Sequence, residues 1–210
     1  KMQSNINKLN FIELLRFFAS FSVLIWHYQH FSLASIDTSY NKNELPFTQL
    51  LRIFYEIGGS GVLVFWCISG YIFFYKYEEL ISKNKINFKK FFVNRFSRLY
   101  PLHFITLIIV LIFQEKYLDL FGNYFVYQIN DLYHFLLQFF FISHWGFEKG
   151  YSFNGPIWSV SIEIIVYIIF FLSLKIFGKS LIFNLITIST CLLVKLLTDT
   201  NYILFDCIIF

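Results

Sequence analysis

Charged residues are scarce in this sequence: Asp, Glu, Lys and Arg make up only 14% of the 210 residues. A soluble domain carries about 25%, so this scarcity excludes an ordinary soluble fold. Hydrophobic residues reach 57%, the mean hydropathy is +0.60, and long apolar runs recur along the chain. The sequence therefore predicts an all-α fold, a polytopic transmembrane helix bundle that has the lipid bilayer as its partner.

Cysteine is also rare. Cys67, Cys191 and Cys207 all lie inside apolar runs, and no Cys-x-x-Cys pair is present. This pattern predicts buried small side chains and neither disulfides nor a metal site. The net charge of +4 does not indicate nucleic-acid binding, because the positive residues lie at the borders of apolar runs rather than on a soluble face.

The apolar runs predict six or seven spans. They cover roughly Leu9–Tyr28, Ile57–Tyr77, Tyr100–Phe113, Leu132–Trp145, Ile157–Phe177, Leu181–Leu197 and a run from Tyr202 that is cut short. The fourth run is short enough to be a re-entrant or interfacial helix as well as a tilted span. Pro101 suits the first turn of the third helix, and a polar loop is expected from Gln29 to about Leu50.

No cleavage site follows the first run, so we interpret it as a span rather than as a signal peptide. No repeat, linker or low-complexity tract divides the chain, which predicts a single domain over residues 1–210. Lys1 precedes Met2, and the final apolar run stops before it can cross a bilayer. We therefore expect this chain to be an N-terminal fragment of a longer protein.

Orientation is predicted by the segment from Tyr75 to Arg98, which we interpret as a short loop holding seven of the 17 Lys and Arg residues. The positive-inside rule places it in the cytoplasm, and the N-terminus with it. The Glu115–Asp131 loop is then outside. Beyond residue 131 the topology stays open: Lys175 and Lys179 are inside if the fourth run does not span, and outside if it does.

The first run carries Glu13, Arg16 and His27 along one helical stripe. Eleven steps of ~100° bring His27 back to the side of Arg16, ~16 Å along the axis. A buried arginine can hold a phosphate or carboxylate, and a histidine can accept a proton from a hydroxyl. Alternatively, Glu13 and Arg16 only pair with each other, and His27 is an ordinary interfacial residue.

Three further patches are candidate sites, and each also has a structural interpretation. The glycines in Gly58–Tyr71 favour close helix packing over anion binding. Arg95 and Arg98, three residues apart on one helix face, suit the phosphates of a nucleotide-like donor or simply anionic headgroups. Glu163 lies in an apolar run with Ser159 and Tyr167 one turn to either side, and it either positions a substrate or braces a neighbouring helix.

In this order the patches resemble the acyltransferase 3 family, bacterial membrane-bound O-acyltransferases of surface polysaccharides. The resemblance covers essentially the whole chain. It is carried by Arg16, His27, Gly61, Phe65, Ser69, Gly70, Arg95, Arg98, Pro101, Pro156, Trp158, Ser159, Ser161 and Glu163. Family members have about ten spans, so this chain would supply the first six or seven.

The resemblance implies transfer of an acyl group, usually acetyl, from acyl-CoA to a hydroxyl of a cell-surface polysaccharide, lipopolysaccharide included, or of a lipid-linked sugar. It implies acetyl-CoA as a substrate and no bound cofactor. The expected catalytic residues are His27 and Glu163, and the expected donor- or substrate-binding residues are Arg16, Arg95, Arg98, Ser69, Trp158 and Ser159. The location implied is the bacterial plasma membrane. A transporter or flippase of a lipid-linked sugar is the alternative function.

Overall fold

The computed structural model describes residues 2–33, 45–198 and 203–209, and every regular element in these ranges is helical. The eight α-helices are α1 (Met2–Tyr28), α2 (Thr48–Ile57), α3 (Gly61–Ser82), α4 (Phe88–Phe121), α5 (Leu132–Phe139), α6 (Trp158–Phe177), α7 (Leu181–Thr198) and α8 (Ile203–Ile209). The all-α prediction is confirmed. Half of the first predicted loop, residues 34–44, and the start of the seventh run lie outside the described residues.

Four helical stretches in the described part of the chain are long and apolar enough to cross a membrane: Phe11–Ser32, Thr48–Ser82, Phe88–Phe121 and Gly155–Phe177. Leu181–Leu197, in α7, is a shorter apolar helix. The fourth predicted run forms only the 8-residue helix α5. Such a helix rises about 12 Å, far short of the ~30 Å hydrocarbon core, so the non-spanning alternative holds.

The segment from Tyr75 to Arg98 differs from the predicted loop, because α3 continues to Ser82 and α4 begins at Phe88. Asn87 caps α4 by accepting a hydrogen bond from the backbone N–H of Lys90 at 2.8 Å. Placing the start of this helix near Pro101 was wrong, since Pro101 lies inside it. A bilayer helix tolerates a proline where its neighbours stabilise the turn.

An aromatic ladder carries α4 through Pro101. Rings four residues apart stack along one face, with centroid separations of 5.6, 5.6, 4.7 and 6.1 Å along the series Phe88, Phe92, Phe96, Tyr100 and Phe104. Side-chain pairs at this spacing stabilise a helix. The ladder spans the turn in which proline removes a backbone hydrogen bond, so the helix stays continuous.

The chain forms two compact units, Lys1–Ile72 and Phe73–Phe210. In the first unit, α1 packs against α2 and against the Gly58–Ser60 turn. A Cβ atom at Gly58 would lie 2.5 Å from the Ser22 carbonyl oxygen, and one at Gly61 would lie 2.8 Å from the Ala19 carbonyl oxygen. The packing interpretation of this glycine-rich stretch is therefore confirmed, whereas the single domain stays a prediction.

The second unit has an aromatic core between the last turns of α3, the first turns of α4, and α6. Its centre is Phe91, which is fully buried and lies 5.1 Å from Tyr77, 5.4 Å from Phe171 and 6.5 Å from Tyr167 between ring centroids. Edge-to-face and tilted pairs of this kind add to the free energy of burial. This core fixes the part of α4 that carries Arg95.

Candidate functional site

Arg95 rests on the aromatic core of the second unit. Its guanidinium carbon lies 4.3 Å from the ring centroid of Phe73 and 4.7 Å from that of Tyr77, which are cation–π distances. Arg95 Nε is buried and has no hydrogen-bond partner among the described residues. Stacking uses the face of the guanidinium, so the donors on its edge remain suited to a phosphate or carboxylate. Arg98, one turn further along α4, is exposed.

Glu163 belongs to the same group of side chains. It makes a side-chain hydrogen bond with Tyr167, one turn along α6. The Tyr167 ring lies 4.9 Å from Phe73, the ring on which Arg95 is stacked. Arg95 and Tyr167 thus both contact Phe73, and Glu163 bonds Tyr167, so this group combines a fixed cation with a hydrogen-bonded carboxyl group.

The two serines of the Trp-Ser-x-Ser-x-Glu motif differ in their contacts. Ser159 donates a hydrogen bond to the Pro156 carbonyl at 3.5 Å. Ser161 is fully buried, donates to the Phe141 carbonyl at 2.9 Å and accepts from the backbone N–H of His144 at 3.1 Å. It therefore ties the turn after α5 to α6. Phe141 has φ 59°, a strained conformation for a residue with a side chain.

Trp158 lies near a histidine–glutamate pair that the sequence reasoning missed. The ring centroids of His144 and Trp158 are 5.9 Å apart, and His144 also stacks on Tyr151 at 5.6 Å. His144 Nδ1 lies 3.2 Å from Glu148 Oε1, and both side chains are largely buried. Burial, followed by the nearby Glu148 carboxylate, raises the pKa of Tyr151. The spacing His-x-x-x-Glu was the available signal for this pair.

His134 has a structural role. The Asp131 carboxylate caps α5, accepting from the His134 backbone N–H at 2.8 Å and from His134 Nδ1 at 2.6 Å. The other ring nitrogen accepts from the backbone N–H of Lys149 at 3.2 Å. These hydrogen bonds hold the pKa of Asp131 below its usual range. Both nitrogens of this buried ring are satisfied, so His134 fastens the loop after α5.

In the first unit, α1 carries Arg16 and His27 on one continuous helix, as the stripe requires. Arg16 Nη1 pairs with Glu13 Oε1 at 3.3 Å, and both side chains are exposed. The pairing that was the alternative interpretation is therefore present. The His27 ring lies 4.9 Å from that of Trp26 and 5.1 Å from that of His30.

Ser69 lies on α3 and is half-buried. Among residues 2–33, 45–198 and 203–209, no group of three or more His, Cys, Asp and Glu side chains is arranged to hold a metal ion.

Comparison with known proteins identifies a family. The sequence model of the acyltransferase 3 family, described as an acyltransferase domain, matches residues 9–200. Neither the curated proteins nor the solved structures contain a significant match. The family match extends over nearly the whole chain and includes every candidate residue from Arg16 to Glu163, as the resemblance predicted. The chain therefore belongs to the acyltransferase 3 family.

Proposed function

We propose that this protein transfers an acyl group, acetyl in the simplest case, from acyl-CoA to a hydroxyl of a cell-surface polysaccharide or lipid-linked sugar in a bacterial plasma membrane. Family membership supports acyl transfer in general. The observation that carries the choice of donor is Arg95, a guanidinium stacked on Phe73 and Tyr77 at the basic end of the second unit.

The basic end of the second unit is suited to bind the phosphates of acyl-CoA. Arg95 is preorganised by the two rings beneath it, so it loses little side-chain freedom when it binds an anion. Arg98 follows one turn along α4 and is exposed. Two guanidinium groups at this spacing can share a pyrophosphate, which each contacts through charge-assisted hydrogen bonds. Lys89 and Lys90, six and five residues before Arg95 on α4, add positive charge near the same end.

The packing of α6 supports a cytoplasmic position for this basic end. Lys175 donates a hydrogen bond to Asn84, and Lys179 Nζ lies 3.2 Å from Glu78 Oε2. The last turn of α6 and the residues after it therefore lie beside the α3–α4 turn, so these lysines join the other basic residues. The positive-inside rule then assigns this whole end to the cytoplasm, where acyl-CoA is available.

The reaction needs a group that accepts the proton of the sugar hydroxyl. In the proposed mechanism the hydroxyl oxygen attacks the thioester carbonyl carbon, a C–O bond forms, and the C–S bond breaks. His27 accepts the hydroxyl proton and returns it to the CoA thiolate, which leaves as the thiol. Glu163, which bonds Tyr167, is the second proposed catalytic residue, and Ser69, Trp158 and Ser159 are proposed to bind substrate. Arg16 contributes to donor binding.

The test uses the full-length protein in its own cells, where the natural acceptor is present. Deleting the gene should remove acetyl groups from the surface saccharide without stopping its export, as measured by mass spectrometry. His27→Ala should reproduce that loss while the protein level in the membrane is unchanged, and His30→Gln, one turn away, is the matched control. Full acetylation by a stably inserted His27→Ala protein would refute the role of His27, whereas loss of export would favour a transporter.

A second test addresses the donor. Arg95→Lys keeps the charge but loses the planar fork and much of the stacking, so the KM for acetyl-CoA should rise about tenfold, a loss of ~1.4 kcal/mol. Lys89→Gln removes an exposed charge from the same helix and should have a much smaller effect. Equal effects of the two substitutions would show that Arg95 acts only through general electrostatics.

A further inference from the structure

His103, on α4, is buried in the second unit with 3% of its surface exposed. Its Nε2 lies 2.8 Å from the carbonyl oxygen of Gln138. A carbonyl oxygen can only accept, so Nε2 carries the hydrogen, and in the neutral ring Nδ1 is left as an acceptor. In the described ranges of the chain, Nδ1 has no hydrogen-bond partner.

A second unpaired acceptor belongs to Gln138 itself, which is 2% exposed. Its Nε2 donates to the Ser152 carbonyl at 3.0 Å, which fixes the amide and leaves Oε1 without a partner among the described residues. The Ser143 hydroxyl is likewise buried and unpaired there. Buried polar atoms without partners are uncommon and costly, and they call for a specific explanation.

His103 lies against a strained turn at Phe141, and Gln138 and Ser143 flank this turn in the chain. The His103 ring stacks on Phe141 at 4.3 Å, and Phe141 has φ 59°. Ser161 of the family motif holds the Phe141 carbonyl in place at 2.9 Å. A residue in an unfavourable backbone conformation, fixed by a buried hydrogen bond, is typical of a functional site. The unpaired atoms of His103 and Gln138 are acceptors, so the complementary ligand group is an N–H or O–H donor.

We propose that His103 Nδ1 and Gln138 Oε1 form a buried accepting site for an N–H or O–H group of the substrate, an inference that rests on the proposed function. The pantetheine arm of acyl-CoA carries amide N–H groups and a hydroxyl between its phosphates and its sulfur. His103 is eight residues beyond Arg95 on α4, a rise of about 12 Å, so an arm that leaves the phosphates at Arg95 can extend towards it. The hydroxyl of the sugar that receives the acyl group can also donate a hydrogen bond to this site.

Two conservative substitutions separate the nitrogens of His103. The amide nitrogen of His103→Gln can replace Nε2 and keep the bond to the Gln138 carbonyl, but the acceptor at Nδ1 is lost. The amide oxygen of His103→Asn lies near the position of Nδ1 and keeps an acceptor there. A third variant, His103→Phe, retains the ring on Phe141 and removes both nitrogens. Tyr133→Phe, which removes one exposed hydrogen bond to the Phe147 carbonyl, is the control for the same region.

The experiment measures the Kd of acetyl-CoA for the full-length protein in nanodiscs, and in parallel the acetyl content of the surface saccharide in cells. We expect His103→Gln and His103→Phe to weaken acetyl-CoA binding about tenfold, or ~1.4 kcal/mol, and His103→Asn and Tyr133→Phe to bind like the wild type. If His103→Gln does not insert, wild-type protein is tested with an acetyl-CoA analogue whose pantetheine amides are replaced by esters, which should bind about tenfold more weakly.

The outcomes show which molecule supplies the N–H or O–H group to this site. Weaker binding of acetyl-CoA assigns the site to the pantetheine arm. Unchanged binding with a loss of saccharide acetylation assigns it to the acceptor hydroxyl. If neither quantity changes, ordered water alone satisfies these atoms and the inference is overturned. A wild-type protein that binds no acetyl-CoA overturns the proposed function instead, because that result does not depend on His103.

Discussion

The adjacent glycines Gly58 and Gly59 provide the sharpest test of how the first unit packs. A Cβ atom at Gly58 would lie 2.5 Å from the Ser22 carbonyl oxygen and 2.8 Å from Trp26 Cβ. Normal contact is about 3.5 Å, and both obstacles belong to the backbone or to its first side-chain atom. Gly58→Ala therefore requires α1 to move.

The same substitution at Gly59 meets a softer neighbour. Its Cβ would lie 3.3 Å from the Trp26 ring, and a small rotation of that ring relieves the contact. Overpacking such as that expected for Gly58→Ala lowers the free energy of unfolding by ~1–3 kcal/mol. A loss of about 2 kcal/mol lowers the Tm of a chain of 150–250 residues by roughly 4–8 °C and that of a longer protein by less, whereas Gly59→Ala should change it by a degree or two at most.

The assay is thermal unfolding of the detergent-solubilised full-length protein, followed by loss of the monomeric peak after heating. Both variants differ from the wild type by one methyl group at neighbouring positions, so differences in composition and in the unfolded chain cancel. Equal Tm values for the two variants would refute the close approach of α1 to the Gly58–Ser60 turn. A lower Tm for Gly59→Ala than for Gly58→Ala would refute it as well.

Three further predictions concern the second unit. Ser161→Ala leaves the Phe141 carbonyl without its buried hydrogen-bond donor and should cost ~1–3 kcal/mol of stability, whereas Ser159→Ala should cost far less in the same thermal assay. The pKa of Asp131 is lowered in the folded state, so its stabilising effect is present above its unfolded pKa and is lost as the pH falls through the folded pKa. Asp131→Asn should therefore flatten the acid limb of a Tm-against-pH curve, and an unchanged limb would contradict the cap. Lys179→Cys, in a protein whose native cysteines are replaced by serine, should react with a membrane-impermeant maleimide only after the cells are opened, and labelling of intact cells would contradict the proposed orientation.

The sequence was sufficient to predict the helical class and the family, because both depend on local patterns: long apolar runs, and charged motifs in a fixed order. The contact between Glu163 and Tyr167 was predictable too, since it lies within a single helix turn. The ends of the helices were harder to predict from the sequence. The basic residues between Tyr75 and Arg98 suggested a loop, yet both flanking helices extend into it because their aromatic faces are buried in the second unit.

The polar residues His103 and Gln138 could not be found from the sequence. Each is one polar residue among apolar neighbours, and their contact joins positions 35 residues apart. The same limit applies to Ser161, whose importance in the structure comes from the Phe141 carbonyl and not from its neighbours in the chain. Periodicity reports which face of a helix is polar, whereas only packing reports which partner that face meets.

Because α4 is one continuous helix, insertions and deletions within it should be poorly tolerated. The helix is anchored near its start by the buried Phe91 and near its end by Gln114, whose side chain bonds both the N–H and the carbonyl of Phe125. Arg95 and His103 lie between these anchors. Deleting one residue there would rotate one half of the helix by ~100° relative to the other and shorten it by ~1.5 Å. Substitutions between residues 91 and 114 should therefore be tolerated far more often than insertions or deletions.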